Sequence, residues 1–592
     1  MTSTCCSRIA LIAVTLAAVS AAVSPRAAHG STPVAAAAAC CWCDGDTPDA
    51  FRVTVDADGQ EHELVFSDEF SQPGRNFSNG ADKRWTAIDK SDYTNASPVR
   101  YTPEAITTVL DRGAMVLANA SDPGSERRVF RPYRTPYSAL RIETRRITDK
   151  AVAKAVNKTF QGGMLQSWDK FCFTGGVVEV SAKFPMGLGF WPALWLFGNL
   201  GRAIHEESND GLWPYSLEEC DPVYEQRPVA KPGKKQRISG CDPAPPSGLH
   251  PRMGRGATEI DLVEVGDSWN GQAGWLMQSL QLAPSIPDHF RPKLHDPPIG
   301  YTPNPRTGQV AWVPPTHGAS TRDTWYRRLR FGGNTSGVPA VLPNAHWYGP
   351  KFADSLTAGI SPFHDLSERY RTFRLEWREG DGGYLRWLID GVFIFEIPAA
   401  ALDKYTVCAQ TPDDGAPVCE TTPRRKLPSE PMSIVINTAL GSWNGGPDAT
   451  NGHMPGEMLV DFVRVWQSRE RTNVGCDPPD YPTRRYIDEH AHLYGTPARP
   501  RGYDSCPQIY PHGTRGADGD DAGARAAGAR RPLGGALAIG LAAVAAGALV
   551  ALFGGSAVVR SLLRKRAAAR QRPSQYGEVG DPAGASREPM LR

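Results

Sequence analysis

From residue 51 onward, apolar and polar residues alternate in short runs. FRVTV, ELVFSDEF, GAMVLAN, GGVVEVSAKFP and FWPALWLFG come first. EIDLVEV, WLMQSLQLAP, RTFRLEWRE, GYLRWLIDGVFIFEI, MSIVINTAL and MLVDFVRVWQ follow. Each run is rich in β-branched and aromatic residues and is bounded by Gly, Pro, Asp or Asn, the pattern of strands separated by turns. No long run of helical period competes with them. Asp390-Gly391, between two runs, predicts a tight hairpin. About eleven or more strands predict an all-β fold, a β-jelly-roll sandwich of two antiparallel sheets. Two Pro- and Gly-rich segments, about 200–257 and 283–350, interrupt the pattern as long loop inserts. Loops of that length are functional or disordered.

The pattern changes at both ends. Residues 1–30 have Arg8, an apolar run and the small residues Ala28 and Gly30, which reads as a secretory signal; an uncleaved anchor is the alternative. Residues 31–50 form an Ala- and Cys-rich linker, 51–470 the jelly roll, 471–512 a Cys-containing extension and 513–532 a stalk. Residues 533–559 carry no charge and exceed the ~20 apolar residues that span a bilayer. Arg560, Arg564, Lys565 and Arg566 follow, marking 560–592 as a cytosolic tail, although Arg530 and Arg531 flank the other side. A lipid-anchor signal would end in its apolar tail, whereas 33 residues follow here. The expectation is a single-pass type I protein of the secretory pathway or plasma membrane, its bulk lumenal or extracellular, with one C-terminal transmembrane helix. Tyr576–Val579, YGEV, fits a sorting signal, a pattern also common by chance.

A formal net charge of +2 excludes a nucleic-acid binder driven by phosphate contacts. The 12 cysteines fit an oxidising compartment. Cys220 with Cys241 and Cys408 with Cys419 are close enough for local bridges; the rest of the connectivity stays open. No paired CxxC or HxxxH spacing points to zinc. Asn76, Asn95, Asn119, Asn157 and Asn334 head N-x-S/T sequons, candidates for glycosylation behind a signal peptide.

The chemistry concentrates in GRGATEIDLVEVGDSWNG, residues 254–271. In a strand, Glu259 and Asp261 share a face, while Glu264 falls on the other. A β-bulge near Leu262–Val263 would return Glu264 to the face of the first two acids. The acids would then lie about 13 Å apart along the backbone, at ~3.3 Å per step. Inward-leaning side chains could close that to the ~5–5.5 Å of a retaining glycosidase. One glutamate would be nucleophile and the other general acid, with Asp261 between them keeping their pKa values apart. The alternative, a solvated acidic strand face, is opposed by the absence of basic residues within the strand to pair the three acids. Carboxylates suffice for this chemistry, so no cofactor is expected.

Alternation also puts Trp191 and Trp195 of GFWPALWLFGN on one face, where indoles could stack on sugar rings or serve as core. Trp269 and Trp443 are further candidates for sugar contact. Gln278, Gln281 and Asn437 could bond hydroxyls or satisfy buried backbone groups.

EIDLVE resembles the ExDxxE signature of glycoside hydrolase family 16. ELVFSDEFSQPGRNF, GGMLQSWDKFCFTGGVVEVSAKFP, DGLWPYSLEECD, PMSIVINTALGSW and NVGCDPPDYPT are similar, in order, to the fungal β-1,6-glucan synthesis-associated branch. The resemblance covers about residues 60–485. It implies a jelly roll with a concave cleft, Glu259 as nucleophile, Glu264 as acid/base, Asp261 as helper, and glucan contacts from Trp191 and Trp195. It also implies a role in cell-wall β-glucan synthesis or remodelling, by hydrolysis or transglycosylation. The C-terminal anchor departs from that branch, whose anchor is N-terminal. Two other readings stand beside the enzyme: a non-catalytic glucan-binding lectin, which has no need of three acids, and an assembly protein of the secretory pathway.

Overall fold

The computed structural model describes residues 40–110, 138–185, 187, 189–226, 235–245, 247–266, 274–285, 325–326, 352–363, 366–409, 418–441, 453–495 and 506–511. The expected signal, stalk, transmembrane helix and tail lie outside the described residues, as do Trp269, Trp443, Asn119 and Asn334. Among the described residues no helix is long and apolar enough to cross a membrane.

The alternating runs form two sheets that face each other. The smaller one has the order Trp325–Tyr326, Asp354–Phe363, Gly274–Leu282, Glu259–Gly266, Phe190–Gly198, Met432–Leu440, Met164–Gln166 and Thr86–Ala87, all antiparallel. The larger is built around Gly176–Lys183, which lies between Arg371–Arg378 and Gly456–Gln467. The hairpin at Asp390-Gly391 joins Tyr384–Ile389 to Val392–Pro398, with both turn residues at positive φ, 49° and 76°. One pair departs from the expected antiparallel order. Val99–Tyr101 runs parallel to Phe160–Gly162, possible because the long connection between them includes another strand, Ser138–Arg146.

Inward-facing apolar residues of both sheets meet in one core. Val178, Val180, Phe373, Leu375, Val463 and Val465 come from the larger sheet. Leu194, Leu196, Ile260, Leu262, Ile434 and Ile436 come from the smaller. The other face of the smaller sheet carries the cleft.

The described part of the 200–257 insert is folded against that cleft face. Glu206–Asn209 and Pro222–Gln226 are short helices, Cys220 is bonded to Cys241, and Leu212, Ile238 and Leu249 join a second apolar cluster with Phe197, Tyr486 and Tyr494. Arg255 donates to both oxygens of Glu430, at 2.6 Å each. The Cys-containing extension is part of the same body. Cys476 is bonded to Cys172, and the Tyr494 hydroxyl donates to Leu200 O at 2.6 Å. The described end of the 31–50 linker is also built in. Cys40 is bonded to Cys43 and Cys41 to Cys506, and Trp42 is buried in the main core. Backbone register sets Cys408 opposite Cys419, and Cys419 is disulfide-bonded. This oxidised set suits a secretory or extracellular compartment. Asn76, Asn95 and Asn157 are exposed.

Candidate active site

The acid strand, Glu259–Gly266, lies between Phe190–Gly198 and Gly274–Leu282. Its register pairs Glu259 with Gln281 and Asp261 with Ser279, then resumes at Glu264 with Met277. Three residues thus oppose two, which places a bulge at Leu262–Val263. On the tryptophan strand the same shift pairs Trp195 with Asp261 and Leu194 with Val263. Leu262 and Val263 both enter the core, and Glu264 returns to the face of Glu259 and Asp261. The carbonyls exposed by the bulge find donors in the core. Trp387 Nε1 donates to Asp261 O and Gln278 Nε2 to Leu262 O, each at 2.9 Å.

All three acids line one cleft of about 440 Å³ with Trp191, Trp195, Trp213, Gln281 and Asn437. That is the size of a small-molecule or oligosaccharide site. Glu259 accepts from Trp213 Nε1 at 2.8 Å on one oxygen and from Gln281 Nε2 at 2.9 Å on the other. Asp261 accepts from Gln281 Nε2 at 3.1 Å and from the Ser279 hydroxyl. Glu264 accepts from Trp191 Nε1 at 2.8 Å. Trp195 Nε1 donates to Asn437 Oδ1 at 2.7 Å. Among the described residues no Lys or Arg lines the cleft.

The electrostatics follow from burial without a cation. Burial, then the charges of Asp261 and Glu264, push the Glu259 carboxyl well above its usual range, against the Trp213 hydrogen bond. Burial and the Asp261 charge likewise push Glu264 up, opposed by Trp191. Burial raises Asp261 to about 6, opposed by Ser279, Gln281 and Glu259. Three acids this close cannot all ionise near neutrality, so the cluster retains protons there. The donors are unevenly shared. Glu259 has one on each oxygen, Glu264 one in all. N–H donors favour the ionised form, which supports Glu259 as a carboxylate, while the neighbouring charges, two raising Glu259 and one raising Glu264, act the other way.

The structure brings together Glu259, Asp261, Glu264, Trp191, Trp195, Gln281 and Asn437. Gln278 is a correction. It is fully buried, bonds the backbone of the bulge, and faces the core. Gln278 and Gln281 are an odd step apart with no register break between them, so they take opposite faces. Sequence reasoning missed Trp213 and Ser279. Trp213 sits in a Pro- and Gly-rich insert where no period can be read; its signal is its place in DGLWPYSLEECD, one of the segments similar to the fungal branch. Ser279 was findable, since it lies two residues from Gln281 on the same strand face.

Comparisons with known proteins agree with the motifs. A family model described as beta-glucan synthesis-associated protein SKN1/KRE6/Sbg1 matches residues 11–121, 144–295 and 355–504. The beta-glucan synthesis-associated protein SKN1 of Candida albicans is 31% identical over 462 residues, 76% of this chain and 51% of that protein. KRE6 of Saccharomyces cerevisiae is 30% identical over 463 residues, 76% of this chain and 53% of that protein. The chain thus spans about half the length of the curated relatives it matches. Among solved structures, an endo-β-1,3-glucanase from Pyrococcus furiosus aligns over 70% of this chain and 98% of its own at 18% identity, with a TM-score of 0.35, too low to carry an argument. With the match spread over most of the folded body, the chain belongs to the beta-glucan synthesis-associated SKN1/KRE6/Sbg1 family.

Proposed function

We propose that this protein is a retaining β-glucan-active glycosidase or transglycosylase of cell-wall β-glucan synthesis or remodelling, anchored by residues 533–559 with its folded body lumenal or extracellular. The carrying observation is the bulge that sets Glu259 and Glu264 on one cleft face, each held by an indole N–H. Glu259 attacks the anomeric carbon while Glu264 gives its proton to the departing glycosidic oxygen. The C–O bond breaks and a covalent glycosyl–Glu259 ester forms. Glu264, now a carboxylate, takes a proton from water or from an acceptor hydroxyl. That oxygen attacks the anomeric carbon and frees Glu259. Asp261, which accepts from Ser279 and Gln281 beside Glu259, takes up or shares a proton as the charge on Glu259 changes. Trp191 and Trp195 present indole faces for sugar rings.

The test is product analysis with defined β-1,3- and β-1,6-linked glucan oligosaccharides. Hydrolysis yields shorter chains, transfer yields longer ones as well, and a lectin yields neither. Unchanged activity in Glu259→Gln and Glu264→Gln would sink the site assignment.

A further inference from the structure

The cleft holds another buried carboxylate that the chemistry at Glu259 and Glu264 does not use. Asp92 is 2% exposed and lines the cleft. Thr94 gives it a backbone N–H at 2.9 Å and a hydroxyl at 2.6 Å, and its charge acts on the Tyr101 phenol. Tyr101 is fully buried. Burial and the Asp92 charge push its phenol well above the usual range, so the hydroxyl keeps its proton.

The same hydroxyl accepts from Asn437 Nδ2 at 3.4 Å. With Nδ2 so engaged, Asn437 turns Oδ1 toward Trp195, whose Nε1 donates at 2.7 Å. The bonds run one way: indole N–H to amide oxygen, then amide N–H to phenol oxygen. A chain of one polarity strengthens each member and leaves the Asn437 amide a single orientation. Trp195 is only partly buried and meets Phe197 edge-on at 5.4 Å, so packing leaves one side of the indole to the cleft.

We infer that Tyr101 is a positioning residue whose hydrogen bond with Asn437 fixes the Trp195 indole as a platform for a glucosyl unit away from the cleaved bond. The inference rests on the proposed glucan-active reading of this cleft. Aromatic platforms bind at low entropic cost only when the ring is already held. The chain therefore acts on affinity for longer chains more than on the bond-breaking step.

The experiment uses the full chain carrying Glu259→Gln, with and without Tyr101→Phe, titrated calorimetrically with a laminarin-type oligosaccharide and its β-1,6-linked counterpart. Tyr101→Phe keeps the buried ring and removes only the link. The expected result is an affinity about two- to tenfold weaker, the range for one lost hydrogen bond. In the otherwise native enzyme, KM rises by more than kcat falls. Affinity equal to the parent's, in a variant with an unchanged Tm, overturns the relay and leaves the glucan reading intact. A parent that binds neither glucan overturns both. If Tyr101→Phe lowers Tm, Thr94→Val is the second variant. It removes one donor from Asp92 outside the relay, and an affinity loss as large as that of Tyr101→Phe would reduce the chain to general packing.

Discussion

Asp68 and Asp261 are equally buried, 0% and 1% exposed, yet their carboxyls move in opposite directions. Burial alone would raise Asp68. The Arg75 guanidinium, bonded to both of its oxygens at 2.7 and 2.9 Å, overrides burial and holds it below the usual carboxylate range. Asp261 has hydroxyl and amide donors and no cation, and rises to about 6. Glu69 and Arg464, both 0% exposed at the side chain, repeat the paired arrangement on the larger sheet. The difference separates a carboxylate built for structure from one poised for proton transfer. A guanidinium fixes the charge, whereas neutral donors orient the carboxylate and leave its proton exchangeable.

The largest expected effect comes from removing a poised group. Glu264→Gln should lower kcat for a poor leaving group by about 10²–10⁴-fold, with a smaller loss on an activated aryl glycoside that needs no acid. The same substitution should change stability in the opposite sense. The folded-state pKa of Glu264 is raised, so its contribution to stability is full below the unfolded value and is lost as pH rises through the folded one. Glu264→Gln should therefore melt higher than the parent above neutrality, with the gap closing toward pH 4. A parent as stable at pH 8 as the variant would mean the cleft acids are not strained by burial.

Next in size is Arg464→Met, which leaves Glu69 buried without its guanidinium. Breaking a buried pair costs about 3–5 kcal/mol. Urea unfolding should show that loss, whereas Glu264→Gln under the same neutral conditions should show a gain. Equal signs would erase the distinction between the two kinds of acid.

Asp261→Asn probes the coupling inside the trio. The Asp261 charge raises both glutamates, so its removal should move the alkaline limb of the kcat/KM profile to lower pH. Activity at the optimum should fall about 10- to 100-fold, the worth of one or two charge-assisted hydrogen bonds near the reacting atoms. A limb that stays in place would assign the titration to a group other than Glu264.

The sequence was most informative where a period was broken. Glu264 is out of phase with Glu259 and Asp261, and that odd step located the bulge because apolar Leu262 and Val263 had to go inward together. Gln278 and Gln281 show the same odd step, and there it meant opposite faces. One strand is bulged and the other is not, and the distinction lies in what each face must bury. The strands and the hairpin were legible because alternation is a local property. The folded insert was not. Its local bridge, Cys220–Cys241, was readable from spacing, but Arg255–Glu430 and Tyr494–Leu200 join segments separated by long stretches of sequence, and no period records them. The same holds for Cys41–Cys506 and for the packing of Trp42 in the core.

The smallest expected effect belongs to the residue that only the fold revealed. Trp213→Phe retains the ring and removes the N–H that Glu259 accepts at 2.8 Å. That donor favours the ionised carboxylate, so its loss should raise the Glu259 pKa further and carry the acid limb of kcat/KM upward. At the optimum the cost should be about 1 kcal/mol, roughly fivefold. Asp261→Asn moves both limbs down, because its charge raises both glutamates, whereas Trp213→Phe moves the acid limb alone up, so the two variants are told apart by the limb that stays in place. If the acid limb follows Trp191→Phe instead, Glu264 is the nucleophile, and the roles assigned from the uneven sharing of donors are reversed.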